Sequence, residues 1–123
     1  MINPEKLTVK AGEAFNESVT AARRNGNPVV YDLHLLAALL EQDESIVVPI
    51  LQKLGASVAA LREQIDREIG RYPKQSDAQP TLSRELNQVF DKAEDEAKRL
   101  GDEYISTEHL LLGLAATKGA ESR

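Results

Sequence analysis

His34 and His109 are the only histidines in the chain, and they stand 75 positions apart (109 − 34 = 75). Imidazoles at matched places raise a shared metal or proton-transfer site. The chain contains no cysteine, and no third ligand accompanies the pair. Each histidine also opens an apolar run, so the residues favour an imidazole packed or hydrogen-bonded at a helix end over a ligand. The carboxylates Asp91, Glu94, Asp95 and Glu96 follow the pattern of a solvated helix face rather than an acid–base pair. Gly113, Lys118 and Gly119 have the residue types of a phosphate loop, but in the wrong order and without a preceding strand. No Gly-x-Ser-x-Gly, His-Glu-x-x-His or calcium-loop motif occurs. Catalytic residues, metal ligands and cofactors are therefore all expected to be none.

The segment 101–111, GDEYISTEHLL, carries more. Asp102 and Glu108 flank a short connector that holds Tyr104, and a carboxylate in a first helical turn is stabilised by the helix dipole. One reading is capping and solubility. The other is a mildly acidic lip beside aliphatic side chains, suited to weak capture of an extended chain through its backbone amides and basic residues. The residues alone leave both open.

At 123 residues and 13.5 kDa the chain allows one compact domain, 1–123, and leaves no room for a catalytic domain with a cofactor fold beside it. Hydrophobic residues make up 41% and charged residues 28%, the balance of a folded rather than a disordered chain. The aromatics are Phe15, Phe90, Tyr31, Tyr72 and Tyr104, with no Trp, so the core must be aliphatic. The net charge of −5 repels phosphate backbones and anionic lipid, which argues against nucleic acid and membrane as partners. The longest apolar run, 110–116, has seven residues, against roughly 18 for a bilayer span. A cytoplasmic setting is expected.

An offset of 75 aligns Leu7 with Leu82, Phe15 with Phe90, Ala22 with Ala97, Arg24 with Arg99, and Gly26 with Gly101. It also aligns His34, Leu35, Leu36 and Leu39 with His109, Leu110, Leu111 and Leu114, without a gap. This is an internal repeat. Each copy opens with apolar residues three or four apart, as a helix face requires. A glycine, Gly26 or Gly101, then stops the helix. A second helix follows, with Asp32 and Thr107 as expected N-caps. These second helices are apolar nearly all round and are expected at the centre. Repeat one spans 5–70, with a third helix ending at Gly55 and a fourth from Ser57 to Gly70. Segment 71–81, with two prolines, reads as a linker. Repeat two, 82–123, reads as incomplete. The predicted fold is all-α and wholly helical, with 7–45 and 82–120 superposing about a pseudo-twofold axis and with Phe15 and Phe90 buried near it.

The sequence resembles the N-terminal Clp repeat domain at the head of Clp/heat-shock AAA+ unfoldases, and the disaggregase members most strongly. The resemblance rests on the opening Lys6, Leu7, Thr8, the run 33–40 (LHLLAALL), Arg71, Tyr72, Pro73 with Gln79 and Pro80, and the run 101–112 (GDEYISTEHLLL). It implies two pseudo-twofold related four-helix repeats tethered to ATPase modules in a homo-hexamer, with ATP and magnesium in the parent protein and none in this domain. It further implies a binding domain for unfolded or aggregated protein, with Thr8, Asp102 and Glu108 as substrate-binding positions; Tyr104, on the connector between the two carboxylates, is the fourth candidate substrate-binding residue. Lys92 and Glu96 stand where some relatives have apolar residues. An adaptor or co-chaperone is the alternative partner, and the isolated domain is expected to be a monomer. Thr8, Asp102 and Glu108 are expected on one exposed face.

Overall fold

Thr8 and Ser83 start two long helices in the same way. The Thr8 hydroxyl accepts the Ala11 N–H at 3.2 Å and opens α1 (Val9–Arg24), and the Ser83 hydroxyl accepts the Leu86 N–H at 2.9 Å and opens α5 (Arg84–Arg99). Each side chain satisfies a donor that the first turn would leave unpaired. Both helices end alike. Gly26 and Gly101 take φ of 74° and 75°, and the N–H groups of Asn27 and Asp102 each reach back to a carbonyl, that of Ala22 and of Ala97, at 2.8 Å. Paired with the glycine N–H bonds to Arg23 and Lys98, this closes the last turn with a left-handed residue that glycine adopts at no steric cost.

The computed structural model describes residues 2–77 and 79–117. The remaining elements are a 3-10 turn at Pro4–Lys6, β1 (Val29–Val30), α2 (Asp32–Glu41), α3 (Val47–Lys53), α4 (Val58–Gly70), β2 (Thr81–Leu82) and α6 (Thr107–Ala116). The fold is mainly helical, as expected. The pairs α1 with α5 and α2 with α6 keep the 75-residue offset at both ends. Residues 118–120 of the expected superposition, like Lys118 and Gly119, lie outside the described residues.

The expectation of a wholly helical chain is corrected by a small parallel sheet, in which Val29 pairs with Thr81 and Val30 with Leu82. An isolated parallel bridge joins Leu7 to Ile105. These are the same contact twice, because Leu7 corresponds to Leu82 and Val30 to Ile105. The residue ahead of each first helix pairs with the connector of the other repeat, the exchange that a twofold axis produces. Extended connectors need partners for their backbone groups, and two-residue strands are too short to leave a period in the sequence.

The expected N-caps of α2 and α6 also shift. Tyr31 and Ser106 occupy the cap positions, and Asp32 and Thr107 are the first helical residues. The histidine two residues further on does the work: Nδ1 of His34 accepts the Tyr31 N–H, and Nδ1 of His109 accepts the Ser106 N–H, each at 2.9 Å. An imidazole thus takes the part that Glu or Gln plays in a capping box.

The core runs along α2, of which all but Ala37 and Glu41 are buried. Helix α4 packs across it. Helix α6 is less central than its sequence suggests, since Leu112 is exposed. Phe15 and Phe90 meet edge to face with centroids 5.4 Å apart, a favoured aromatic geometry. Equivalent residues in contact must sit near the pseudo-axis. Phe90 is buried, whereas Phe15 is only partly covered, because α1 offers mainly alanines where α5 offers Leu86 and Val89. Segment 71–77 is held against repeat one: Tyr72 packs on Tyr31 with centroids 4.2 Å apart, Gln75 donates to Gly26 O at 2.8 Å, and Asn27 donates to Pro73 O at 3.0 Å.

Candidate functional site

The exchanged bridge decides which residues meet. Thr8 N–H donates to Ile105 O at 2.9 Å, and Ile105 N–H donates to Lys6 O at 2.7 Å. The start of α1 is therefore stitched to the connector ahead of α6. A third strand of chain is tied alongside, because Lys10 Nζ donates to Asp43 O at 2.7 Å and Gln42 donates to Lys10 O at 2.9 Å. Together these bonds form an open groove whose walls are residues 8–10, 44–46 and 106–108.

Two aliphatic side chains stand exposed in the groove, Val9 at 78% and Ile46 at 47%. Around them lie the hydroxyls of Thr8, Ser45, Ser106 and Thr107 and the carboxylates of Glu44 and Glu108. Glu108 sits in the first turn of α6, where the helix dipole favours its charge. Lys10 is the one basic residue in the lining, and its ammonium is bonded to the Asp43 carbonyl. Glu44 has φ of 56°, a left-handed conformation that costs a non-glycine residue roughly 1 kcal/mol or more. Such a surface can hold an extended, partly basic chain by apolar contact, hydrogen bonds and charge.

Thr8 and Glu108 line this groove, and Asp102 and Tyr104 do not. Asp102 borders a separate depression with Lys6, Lys98 and Glu103, and its Oδ2 accepts from His109 Nε2 at 2.9 Å. Thr8 and Glu108 thus share the groove, and Asp102 lies in the depression beside Ile105. Tyr104 is 49% exposed on the connector. Val9, Ile46 and Glu44 were not singled out from sequence. The signal that could have found Val9 is an apolar residue off the buried stripe of α1. Ile46 carries none, since it continues the apolar run of α3.

The histidines prove to be structural. Nδ1 accepts a backbone N–H in both, so the neutral ring carries its proton on Nε2 and donates it, from His34 to Asn27 Oδ1 and from His109 to Asp102 Oδ2, each at 2.9 Å. Burial lowers the His34 pKa from 6.5 to about 4, since a charged ring would lose its hydration. Both nitrogens of each ring are committed. Among the described residues no group of three or more His, Asp or Glu side chains is placed to hold a metal ion, and no helix is long and apolar enough to cross a membrane.

The model of the Clp repeat N-terminal domain matches residues 6–122. The chain belongs to this family. It is 35% identical over 117 residues to the chaperone protein ClpB of Porphyromonas gingivalis, covering 95% of this chain and 14% of that protein. It is 40% identical over 110 residues to ClpB of Mycobacterium tuberculosis, covering 88% and 13% respectively. The chain thus spans about one seventh of the curated relatives it matches. Among solved structures, the Hsp104 N-terminal domain from Candida albicans superposes with a TM-score of 0.83 at 21% identity, covering 94% of this chain and 77% of that one. A ClpV N-domain in complex with a VipB peptide superposes with a TM-score of 0.75 at 21% identity, covering 92% and 70%. These two likenesses speak to the Clp repeat fold.

Proposed function

We propose that this Clp repeat domain captures extended segments of unfolded or aggregated polypeptide, in the groove between Thr8 and Glu108, on behalf of an ATP-driven disaggregase. The reading is carried by the exposure of Val9 and Ile46 beside two carboxylates. An extended chain presents alternate side chains to a surface. Aliphatic ones meet Val9 and Ile46, basic ones meet Glu44 and Glu108, and backbone amides meet the hydroxyls. Affinity is micromolar or weaker, because a shallow site must offset the ordering of a disordered chain. Weak capture suits a module that hands its cargo onward. The domain itself hydrolyses nothing and takes no cofactor. ATP, magnesium and homo-hexamer assembly belong to the parent protein, in a cytoplasmic setting.

The test is fluorescence anisotropy with labelled, reduced and carbamidomethylated lactalbumin, which stays unfolded. Val9→Ser with Ile46→Ser should weaken binding about tenfold or more, while the helical circular dichroism signal and melting midpoint stay close to those of the parent chain. Undiminished binding, or binding confined to a folded partner, refutes the reading.

A further inference from the structure

We propose that Asp102 is a positioning residue for the groove, acting through the His109 ring, and that its contribution requires a hydrogen-bond acceptor rather than a negative charge. The inference rests on the groove reading above. One imidazole holds both ends of the connector: Nε2 donates to Asp102 at one end, and Nδ1 accepts the Ser106 N–H at the other, both at 2.9 Å. Between those ends, Ile105 is bonded to Lys6 and Thr8. Ser106, Thr107 and Glu108 then form one wall of the groove. The ring therefore sets where that wall stands relative to Thr8.

The other repeat contains the control. Asn27 corresponds to Asp102 (27 + 75 = 102), and His34 donates to its Oδ1 at the same 2.9 Å while accepting the Tyr31 N–H. The same connector geometry is thus built with a neutral amide. The Asp102 carboxylate faces the ring and borders a depression outside the groove lining. An oxygen acceptor that keeps the proton on Nε2 suffices for the task.

Three variants of the full chain test this with the labelled lactalbumin probe: Asp102→Asn, Asp102→Ala and Glu108→Gln. Hydrogen exchange at the Ser106 amide and the His109 ring nitrogen shifts report on the connector directly. Asp102→Asn should bind within about twofold of the parent and keep both Ser106 protection and the Nε2–H tautomer. Asp102→Ala should weaken binding about three- to tenfold and speed Ser106 exchange by a similar factor. Loss of binding by Asp102→Asn with Ser106 protection intact overturns the proposal, because the charge then acts on the ligand itself. Normal binding by both Asp102 variants also overturns it. Glu108→Gln separates the two ideas: weakened binding there keeps the groove reading alive when the Asp102 proposal fails, and unchanged binding sinks the groove reading as well. If Asp102→Ala does not fold, Asp102→Asn still keeps the proposal falsifiable, since its loss of binding with Ser106 protection intact overturns it.

Discussion

Acid should unfold this domain through His34, and the size of the effect follows from its surroundings. The ring is 1% exposed, accepts the Tyr31 N–H on one nitrogen and donates to Asn27 from the other, and lies stacked beside Tyr31 and tilted against Tyr72. Protonation would place a hydrogen on Nδ1 against the Tyr31 N–H and uncap α2. In the folded chain the pKa falls to about 4 against 6.5 for an ordinary histidine. Above pH 6.5 both states are neutral and His34 contributes no pH dependence. As pH falls below 6.5 the unfolded chain binds the proton first, so stability is lost down to the folded pKa. The loss is roughly 1 to 2 kcal/mol at pH 5.5 and about 3 kcal/mol at pH 4. Urea unfolding followed by circular dichroism across this range, in the parent and in His34→Gln, isolates the effect, because carboxylates common to both chains cancel in the difference. The variant should be less stable at pH 7.5 and lose less stability on acidification. Parallel pH profiles would show that the fold does not hold His34 neutral and would refute the reasoning.

Phe90→Ala should cost about 3 to 5 kcal/mol and Phe15→Ala less, and a double-mutant cycle should give a coupling of roughly 0.5 to 1.5 kcal/mol for the edge-to-face pair. Gly113→Ala should destabilise the chain by about 1 to 3 kcal/mol in thermal melts, since the new methyl would strike the Val89 carbonyl where α6 crosses α5. Gly12→Ala has open space around it on α1 and should instead stabilise by roughly 0.5 to 1 kcal/mol. Calorimetric titration with magnesium ATP should give no saturable heat, and a stoichiometric isotherm would contradict the reading of a nucleotide-free domain.

The long helices were legible because their signals are repeated and local. Gly26 and Gly101 stop α1 and α5 where the 75-residue offset requires, and the apolar spacing of α5 is the spacing of its buried face. The connectors were not legible. Val29 and Val30 pair with Thr81 and Leu82 across half the chain, and nothing within two residues announces such a partner. The N-caps were misread by one position because capping rules look for short polar side chains, whereas here His34 and His109 reach back from inside the helix. The same blind spot hid the bond that Asp102 makes with His109. In sequence it stands as a charged loop residue near Glu108, and only the structure shows that its carboxylate is bonded to the His109 ring, as Asn27 is to His34. Thr8 and Glu108 could be paired from the repeat, and Val9 stands off the buried stripe of α1, but Ile46 could not be found, since it continues the apolar run of α3 and looks like a core residue until its neighbours are known.

The exchanged pairing of Leu7 with Ile105 and of Leu82 with Val30 has a consequence for how the molecule comes into being. Each repeat completes the other's backbone, so neither can finish folding alone without leaving amides unpaired. The Thr8 to Ile105 bond closes a loop of 97 residues (105 − 8 = 97), a non-local contact of the kind that slows folding and forms late. The groove is built on that closure. It does not exist on a chain still emerging or half unfolded, so this molecule's own extended segments are folded away before the groove is there to meet them.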